Sequence, residues 1–145
     1  MDKTYKAISL TVDAFVLKAR SIILIKRKKE PFKGCLALPG GFIDYGEAPE
    51  IAVLRELQEE TCLVGSSPRL INVYGNPERD PRGHTVSVVY EVKVDNFETL
   101  KAADDAEEVH EVPLEDIEAG KVKLAFDHAQ MIADFLKREK EERTQ

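Results

Sequence analysis

The chain has 145 residues, enough for one domain with its own hydrophobic core and too few for two ordinary ones. Hydrophobic residues make up 43% and charged residues 33%, a balance typical of soluble globular proteins that excludes disordered, collagen-like and membrane-spanning chains. The formal net charge of −6 gives no general attraction for a polyanion, so we expect neither nucleic acid nor a membrane as partner. We expect a single domain over residues 1–145.

The two cysteines, Cys35 and Cys62, are too few for a disulfide framework. The residues after Met1 are polar and do not resemble a signal peptide. We therefore expect a reducing, cytoplasmic location in which both thiols serve as packing residues.

The first half of the chain is predicted to contain mainly strands, followed by one helix. Alternating apolar residues predict a hairpin from residues 5–17 and 21–25, and short strands are predicted at 36–39 and 42–43. Between these pairs lies a basic run that is either a solvated loop or a phosphate-attracting one. Its members are Lys26, Arg27, Lys28, Lys29 and Lys33. A helical period over residues 48–61, with a proline in its first turn, predicts the helix.

The second half is predicted to alternate strands with polar loops. Turn-forming residues occupy 65–68, and strands are predicted at 69–74, 84–94 and 109–112. A C-terminal helix is predicted over 127–140, with Asp127 as its N-cap, His128 as a structural or surface residue, and mostly charged residues from 137 to the end. This order of elements predicts an α/β or α+β sandwich in which helices cover a mixed sheet.

The helix predicted over residues 48–61 has an apolar arc and an acidic arc at about 100° per residue. These arcs comprise Ile51, Leu54, Leu57 and Thr61 on one side and Glu56, Glu59 and Glu60 on the other. Neighbouring carboxylates repel one another, so either they extend into water or a cation lies among them. Mg²⁺ or Mn²⁺ fits the second alternative, because these ions prefer oxygen ligands and bridge carboxylates to phosphates.

Residues 41–63 resemble the signature box of the Nudix hydrolases. The box begins at Gly41, has Glu47 after five residues, and continues after seven more with Arg55 and the glutamate cluster. One position departs from the family pattern, because Cys62 stands where the family has glycine. That position lies just past the helix, where a left-handed backbone is common and a side chain costs about 1 kcal/mol.

The resemblance implies the family's α/β/α sandwich and the metal-assisted hydrolysis of a nucleoside diphosphate linked to another group. It implies that Glu56, Glu59 and Glu60 bind Mg²⁺ or Mn²⁺ together with the Gly41 carbonyl. Arg55 and Glu47 would hold the glutamates in register. The general base would be Glu56 or, in an acidic loop over residues 104–108, Glu107.

The flanks of the box look like those of the ADP-ribose pyrophosphatases, which implies ADP-ribose as substrate and AMP and ribose 5-phosphate as products. The substrate would be bound by Arg27, Gly40, Arg79 and Arg82, although the loop that carries the last two is also typical of a rigid, solvated turn. The same box would serve a nucleoside triphosphate, dinucleoside polyphosphate, NADH or nucleotide sugar.

A third interpretation is a Nudix module that senses a nucleotide without cleaving it. The intact glutamates argue against it, and we expect no added DNA-binding domain within this length. The resemblance also implies a homodimer.

Overall fold

The computed structural model describes residues 6–100 and 106–144. Within these two ranges, eight strands and three helices follow one another. They are β1 (Ser9–Phe15), β2 (Leu17–Lys18), β3 (Ser21–Arg27), β4 (Leu36–Ala37), β5 (Gly40–Phe42), α1 (Pro49–Thr61), β6 (Gly65–Tyr74), β7 (Thr85–Val94), β8 (Ala106–Pro113), α2 (Leu114–Glu118) and α3 (His128–Arg143). Within these described residues, every helix is too short or too polar to cross a membrane.

The strands form two sheets that share a core with α1 and α3. The first sheet has the order β5-β1-β7-β6 and is mixed, because β1 and β7 run parallel while its other pairs are antiparallel. The second contains β2, β3 and β4, with β8 antiparallel to β3. The predicted mixed sheet with few helices is therefore confirmed.

Two hydrophobic clusters lie on opposite faces of β1. Val12 and Ala14 pack in the cluster that holds α1, whereas Phe15 packs in the cluster that holds α3, with its ring 4.6 Å from that of Phe135. Successive side chains of a strand point to opposite faces, so β1 separates the two helices. The first sheet is thus buried on both faces around β1.

The predicted N-terminal hairpin is only partly correct. The predicted strand over residues 5–17 divides at Val16, so that β1 joins the first sheet while β2 pairs with β3 in the second. Ala14, Phe15 and Val16 are all fully buried. Apolar residues that are buried on both faces do not reveal where a chain passes from one sheet to another.

One further prediction was wrong and one element was missed. The turn predicted over residues 65–68 is the beginning of β6, which carries a bulge between Ser66 and Arg69. Pro68 lies in this bulge, one of the few places where a sheet accepts proline. The short helix α2 was not predicted.

Helix α1 begins and ends close to its predicted limits, but its buried face differs from the predicted arc. Ile51 is 59% exposed, whereas Ala52, Val53 and Leu57 are fully buried. Glu60, predicted on the acidic arc, is also buried at 6% exposure. The helix is therefore rotated so that one carboxyl group faces the sheet.

Cys62 ends α1 in the left-handed conformation, with φ 62° and ψ 10°, and its N–H donates to the carbonyl of Gln58 at 2.9 Å. The backbone geometry expected for the missing glycine is therefore retained with a side chain in place. A Cβ in this region of φ/ψ space costs free energy that glycine avoids.

We predict that Cys62→Gly raises the free energy of unfolding by about 1 kcal/mol, because the left-handed backbone then carries no Cβ. Urea unfolding followed by circular dichroism measures the change. Cys62→Ala is the matched control, because it removes the thiol but keeps the Cβ. An equal gain in both variants would contradict the backbone explanation.

A buried polar network joins β1, β7 and α3. Asp13 is 6% exposed and accepts a hydrogen bond from the hydroxyl of Ser87, and the Nε2 atom of His128 lies 3.6 Å from its carboxylate. Nδ1 of His128 accepts a hydrogen bond from the N–H of Leu38 at 3.0 Å. Burial raises the pKa of Asp13 to about 7 and lowers that of His128 to about 3.

These opposite shifts predict a specific pH dependence of stability. A carboxyl group with a raised pKa in the folded state contributes most below its ordinary pKa and loses that contribution as the pH rises through the folded value. The free energy of unfolding of the wild type, minus that of Asp13→Asn, should therefore decrease as the pH rises from about 4 to about 7. Urea titrations of both proteins across this range measure the difference. The idea fails if the two curves run parallel.

His128 provides the opposite comparison. Its lowered pKa means that the unfolded state takes up a proton first as the pH falls below about 6.5. His128→Gln should therefore lose less stability than the wild type on acidification, and the same titrations should show it.

Candidate active site

A cleft of about 230 Å³ opens between β1, β5 and α1 on one side and the segments around residues 79–82 and 126–128 on the other. The residues at its floor are Asp13, Gly40, Gly41, Glu56 and Glu60. The residues at its rim include Arg27, Phe42, Arg82 and Phe126. The structure therefore brings the predicted residues Arg27, Gly40, Gly41, Glu56, Glu60, Arg79 and Arg82 into one cleft.

Gly40 and Gly41 allow strand β5 to lie directly against β1 and α1. A Cβ on Gly40 would lie 2.0 Å from the Val12 carbonyl oxygen, and one on Gly41 would lie 2.7 Å from the Glu56 carboxyl group. The backbone contact leaves no room for a side chain on Gly40, whereas a side chain on Gly41 would require the Glu56 carboxyl group to move. The N–H of Gly40 donates to Glu60 Oε1 at 3.1 Å, so this close approach also holds the buried carboxyl group.

Glu56 and Glu60 form a hydrogen-bonded pair of carboxyl groups at the cleft floor. Burial and the neighbouring Glu56 raise the pKa of Glu60 well above its usual value, and burial also raises the pKa of Glu56. Like charges this close do not both ionise readily in a buried site. Positive charge near the pair would therefore stabilise its ionised form.

Arg55 connects the glutamates of the box. Its Nε and Nη2 donate to the two carboxylate oxygens of Glu47 at 2.6 and 2.9 Å. Its Nη1 donates to Glu56 at 2.9 Å and to Glu59 at 3.2 Å. The hydrogen bonds from Arg55 and from the N–H of Asp44 lower the pKa of Glu47 to about 2. Arg55 therefore holds Glu56 by a charge-assisted hydrogen bond while it also binds Glu47 and Glu59.

The donors at the cleft floor suit a hard divalent cation. Glu56 and Glu60 supply carboxyl oxygens, and ionising them requires positive charge nearby. In the part of the chain that the structure describes, no three His, Cys, Asp or Glu side chains converge on one metal position. Glu59, predicted as a third ligand, has a side chain that is 49% exposed and turned to Arg55. The residues present thus fit a cation held by two carboxylates with further oxygens from solvent or substrate.

The rim of the cleft combines guanidinium and phenyl groups. The Arg82 guanidinium lies over the rings of Phe42 and Phe126, at 5.1 and 5.6 Å from their centroids. Arg27 lies over the Phe126 ring at 4.9 Å. Asp80, buried at 4% exposure, binds Arg82 at 2.8 Å. Cationic and aromatic surfaces of this kind suit a phosphate and a planar base.

Several residues of the cleft were missed or placed differently by sequence. Asp13, Phe42 and Phe126 were not singled out, although a carboxylate within an otherwise apolar strand was a usable signal for Asp13. Arg79 lines the cleft but its side chain is only 4% exposed and binds Asp127. Asp127 therefore does not act as the predicted side-chain cap of α3.

The predicted acidic loop is partly strand, because β8 begins at Ala106. Asp104 and Asp105 lie outside the described residues, and so does the side chain of Glu107. The structure therefore places only the backbone of Glu107, as the second residue of β8, and its proposed role as general base stays a prediction.

Comparisons with known proteins agree on one family. The NUDIX domain matches residues 8–135. An ADP-ribose pyrophosphatase of Methanocaldococcus jannaschii is 47% identical over 129 residues, which cover 89% of this chain and 73% of that protein. The ADPR responsive transcriptional repressor NtrR of Acinetobacter baylyi is 36% identical over 137 residues, which cover 88% of this chain and 53% of the repressor.

Solved structures resemble the whole domain. The NUDIX domain of Shewanella oneidensis NrtR complexed with ADP ribose has a TM-score of 0.80 at 35% identity, covering 92% of this chain and 90% of that one. A bifunctional NMN adenylyltransferase/ADP ribose pyrophosphatase of Francisella tularensis, complexed with AMP and a Mn ion, has a TM-score of 0.82 at 33% identity. The match covers 94% of this chain and 43% of the bifunctional one, so several relatives are much longer. The chain belongs to the Nudix family of pyrophosphohydrolases.

Proposed function

We propose that this chain hydrolyses ADP-ribose to AMP and ribose 5-phosphate with the help of a divalent cation. The observation that carries the proposal is the presence in one cleft of the buried Glu56–Glu60 pair and a rim of guanidinium and phenyl groups. The choice of ADP-ribose is supported by the Methanocaldococcus jannaschii relative and by the ADP-ribose complex of the Shewanella oneidensis domain.

The reaction adds water to one phosphorus and breaks one P–O bond of the pyrophosphate bridge, leaving two phosphomonoesters. A bound Mg²⁺ or Mn²⁺ supplies charge neutralisation and a water of lowered pKa. Glu56 and Glu60, with the Gly41 carbonyl, hold the cation, and Glu59 joins them if it leaves Arg55. Arg55 and Glu47 keep Glu56 oriented. Glu56 is the first candidate for the group that accepts the proton of water, and Glu107 the second.

The rim residues bind the pyrophosphate and the adenine end of the substrate. Arg82 and Arg27 offer N–H donors to phosphate oxygens, and Phe42 and Phe126 offer faces for the adenine ring. We further propose a cytoplasmic location, which suits the two free cysteines, and a homodimer, as the family resemblance implies. Multi-angle light scattering of the purified chain decides the assembly state.

A second candidate function is nucleotide sensing without cleavage. It is favoured by the likeness to the NrtR domain complexed with ADP ribose. Product analysis with ADP-ribose, NADH, a dinucleoside polyphosphate, a nucleotide sugar and nucleoside triphosphates separates the candidates. Formation of AMP and ribose 5-phosphate, with ADP-ribose as the fastest substrate, supports the proposed hydrolase. Faster cleavage of another compound keeps the proposed chemistry and changes only the assigned substrate. Binding of ADP-ribose without cleavage of any compound favours the sensor.

We predict that Glu60→Gln lowers kcat for ADP-ribose by roughly 100-fold or more, because an amide does not replace an ionised ligand at the cation. The fold should persist, since burial and Glu56 raise the pKa of Glu60 and already disfavour its charged form in the free protein. Mg²⁺ or Mn²⁺ should raise the Tm of the wild type but not of the variant. Glu111→Gln, on an exposed residue of β8, is the matched control. Near-wild-type turnover in Glu60→Gln would overturn the assignment of Glu60.

We predict that Arg82→Ala raises KM for ADP-ribose by about tenfold, as expected for the loss of a cation–π contact and a charged donor. The KM for ATP should rise less if Arg82 also contacts the distal ribose, which ATP lacks. Steady-state kinetics on both substrates measure the two effects. Arg20→Ala, in the β2–β3 turn outside the cleft, serves as control. Equal changes on both substrates would remove Arg82 from substrate discrimination.

A further inference from the structure

Arg79 lies in the wall of the cleft, where its charge is already engaged. Its Nε and Nη2 donate to the two carboxylate oxygens of Asp127 at 2.9 and 2.8 Å, and its Nη1 lies 3.4 Å from the Thr85 carbonyl oxygen. The side chain is only 4% exposed. To bind substrate in the same way as Arg82, Arg79 would have to break a buried bidentate ion pair, which is strongly unfavourable.

The Arg79–Asp127 pair joins the two segments that carry the rim. Arg79 belongs to the loop between β6 and β7, whose Asp80 is buried and holds Arg82. Asp127 follows Phe126, which has a left-handed backbone with φ 52°. The pair therefore connects the backbone that supports Arg82 to the backbone that supports Phe126.

Each of these two segments is otherwise attached to a different part of the fold. The N–H of Ala125 donates to the Leu36 carbonyl at 2.8 Å, which ties the segment before α3 to β4. The N–H of Ser9 donates to the His84 carbonyl at 3.1 Å, which ties the end of the β6–β7 loop to β1. The ion pair connects the two attachments on this side of the cleft.

We propose that Arg79 is a positioning residue, which fixes the separation of Arg82 and Phe126 through Asp127 and thereby sets the affinity of the cleft for its nucleotide. The inference rests on the proposed function, since the rim must be the substrate-binding surface. It replaces the direct contact between Arg79 and substrate that the sequence predicted.

The geometry of the rim makes it sensitive to this separation. The Arg82 guanidinium lies 5.6 Å from the Phe126 centroid, close to the limit of about 6 Å for a cation–π contact. A displacement of either segment by about 1 Å would therefore weaken the contact. Lysine at position 79 keeps the charge but cannot form the planar two-bond contact with a carboxylate.

The first test compares Arg79→Lys with the wild type in steady-state hydrolysis of ADP-ribose. We expect KM to rise by about tenfold, the change for one lost contact of about 1.4 kcal/mol, while kcat changes by less than about threefold. A merely structural loss would lower the fraction of folded enzyme, which lowers apparent kcat and leaves KM unchanged. Arg69→Lys is the matched control, because Arg69 donates two hydrogen bonds to Glu91 outside the cleft and its KM should match the wild type.

The second test asks whether Arg79 acts through the rim. The double variant Arg79→Lys/Arg82→Ala should have the KM of Arg82→Ala alone, because a guanidinium that is absent cannot be mispositioned. If the fold-increase of KM in the double variant equals the product of the fold-increases in the two single variants, the proposal is overturned and a direct contact is indicated. Asp127→Asn should reproduce the KM of Arg79→Lys, and it decides the question if Arg79→Lys fails to fold.

The outcomes separate this proposal from the proposed function. A wild type that cleaves ADP-ribose, together with an unchanged KM in Arg79→Lys and Asp127→Asn, overturns the positioning role alone. If the wild type binds ADP-ribose without cleaving it, the hydrolase function fails, and calorimetric Kd values of the same variants test the positioning role with the same expected tenfold change. A wild type that neither binds nor cleaves ADP-ribose overturns both.

Discussion

The contact between the Gly40 N–H and the Glu60 carboxyl group ties the sheet to the helix that carries the acidic cluster. It requires strand β5 to lie so close to β1 that no Cβ fits on Gly40. The contact also turns Glu60 into the protein, where burial and Glu56 raise its pKa. One close backbone approach therefore sets the position of the cleft floor and its demand for a cation.

Arg55 and the Glu56–Glu60 pair divide the electrostatics of the helix between them. Arg55 donates hydrogen bonds to Glu47 and Glu59, and its contact with Glu47 helps lower the pKa of that carboxyl group to about 2. Glu60 instead faces the protein interior, where burial and Glu56 disfavour its charged form. The helix thus has one group of carboxylates stabilised by an arginine and one buried pair whose charged form added positive charge would stabilise.

Helical periodicity predicted the helix over residues 48–61, the order of elements predicted the mixed sheet, and the family glycine suggested the left-handed turn at Cys62. The apolar arc with Ile51 does not match the buried face, and the burial of Glu60 was missed, because helical periodicity does not show which polar group the sheet will accept. The rim was found only in part for a similar reason. Phe126 and Arg82 meet only after the β6–β7 loop folds against the segment before α3, and no local spacing encodes that contact.

The floor and the rim of the cleft are supplied by different parts of the fold. The floor comes from regular elements, since Glu56 and Glu60 lie on α1 and Gly40 and Gly41 on β5. The rim is mixed, since Arg27 and Phe42 end strands β3 and β5 whereas Arg82 and Phe126 lie in loops, which vary in length and sequence more readily than the elements they connect. Under the proposed function, the fixed floor serves one phosphoryl chemistry and the loop residues of the rim help select the group attached to it. A buried ion pair between two rim segments then gives loop residues the precision that strands and helices provide at the floor.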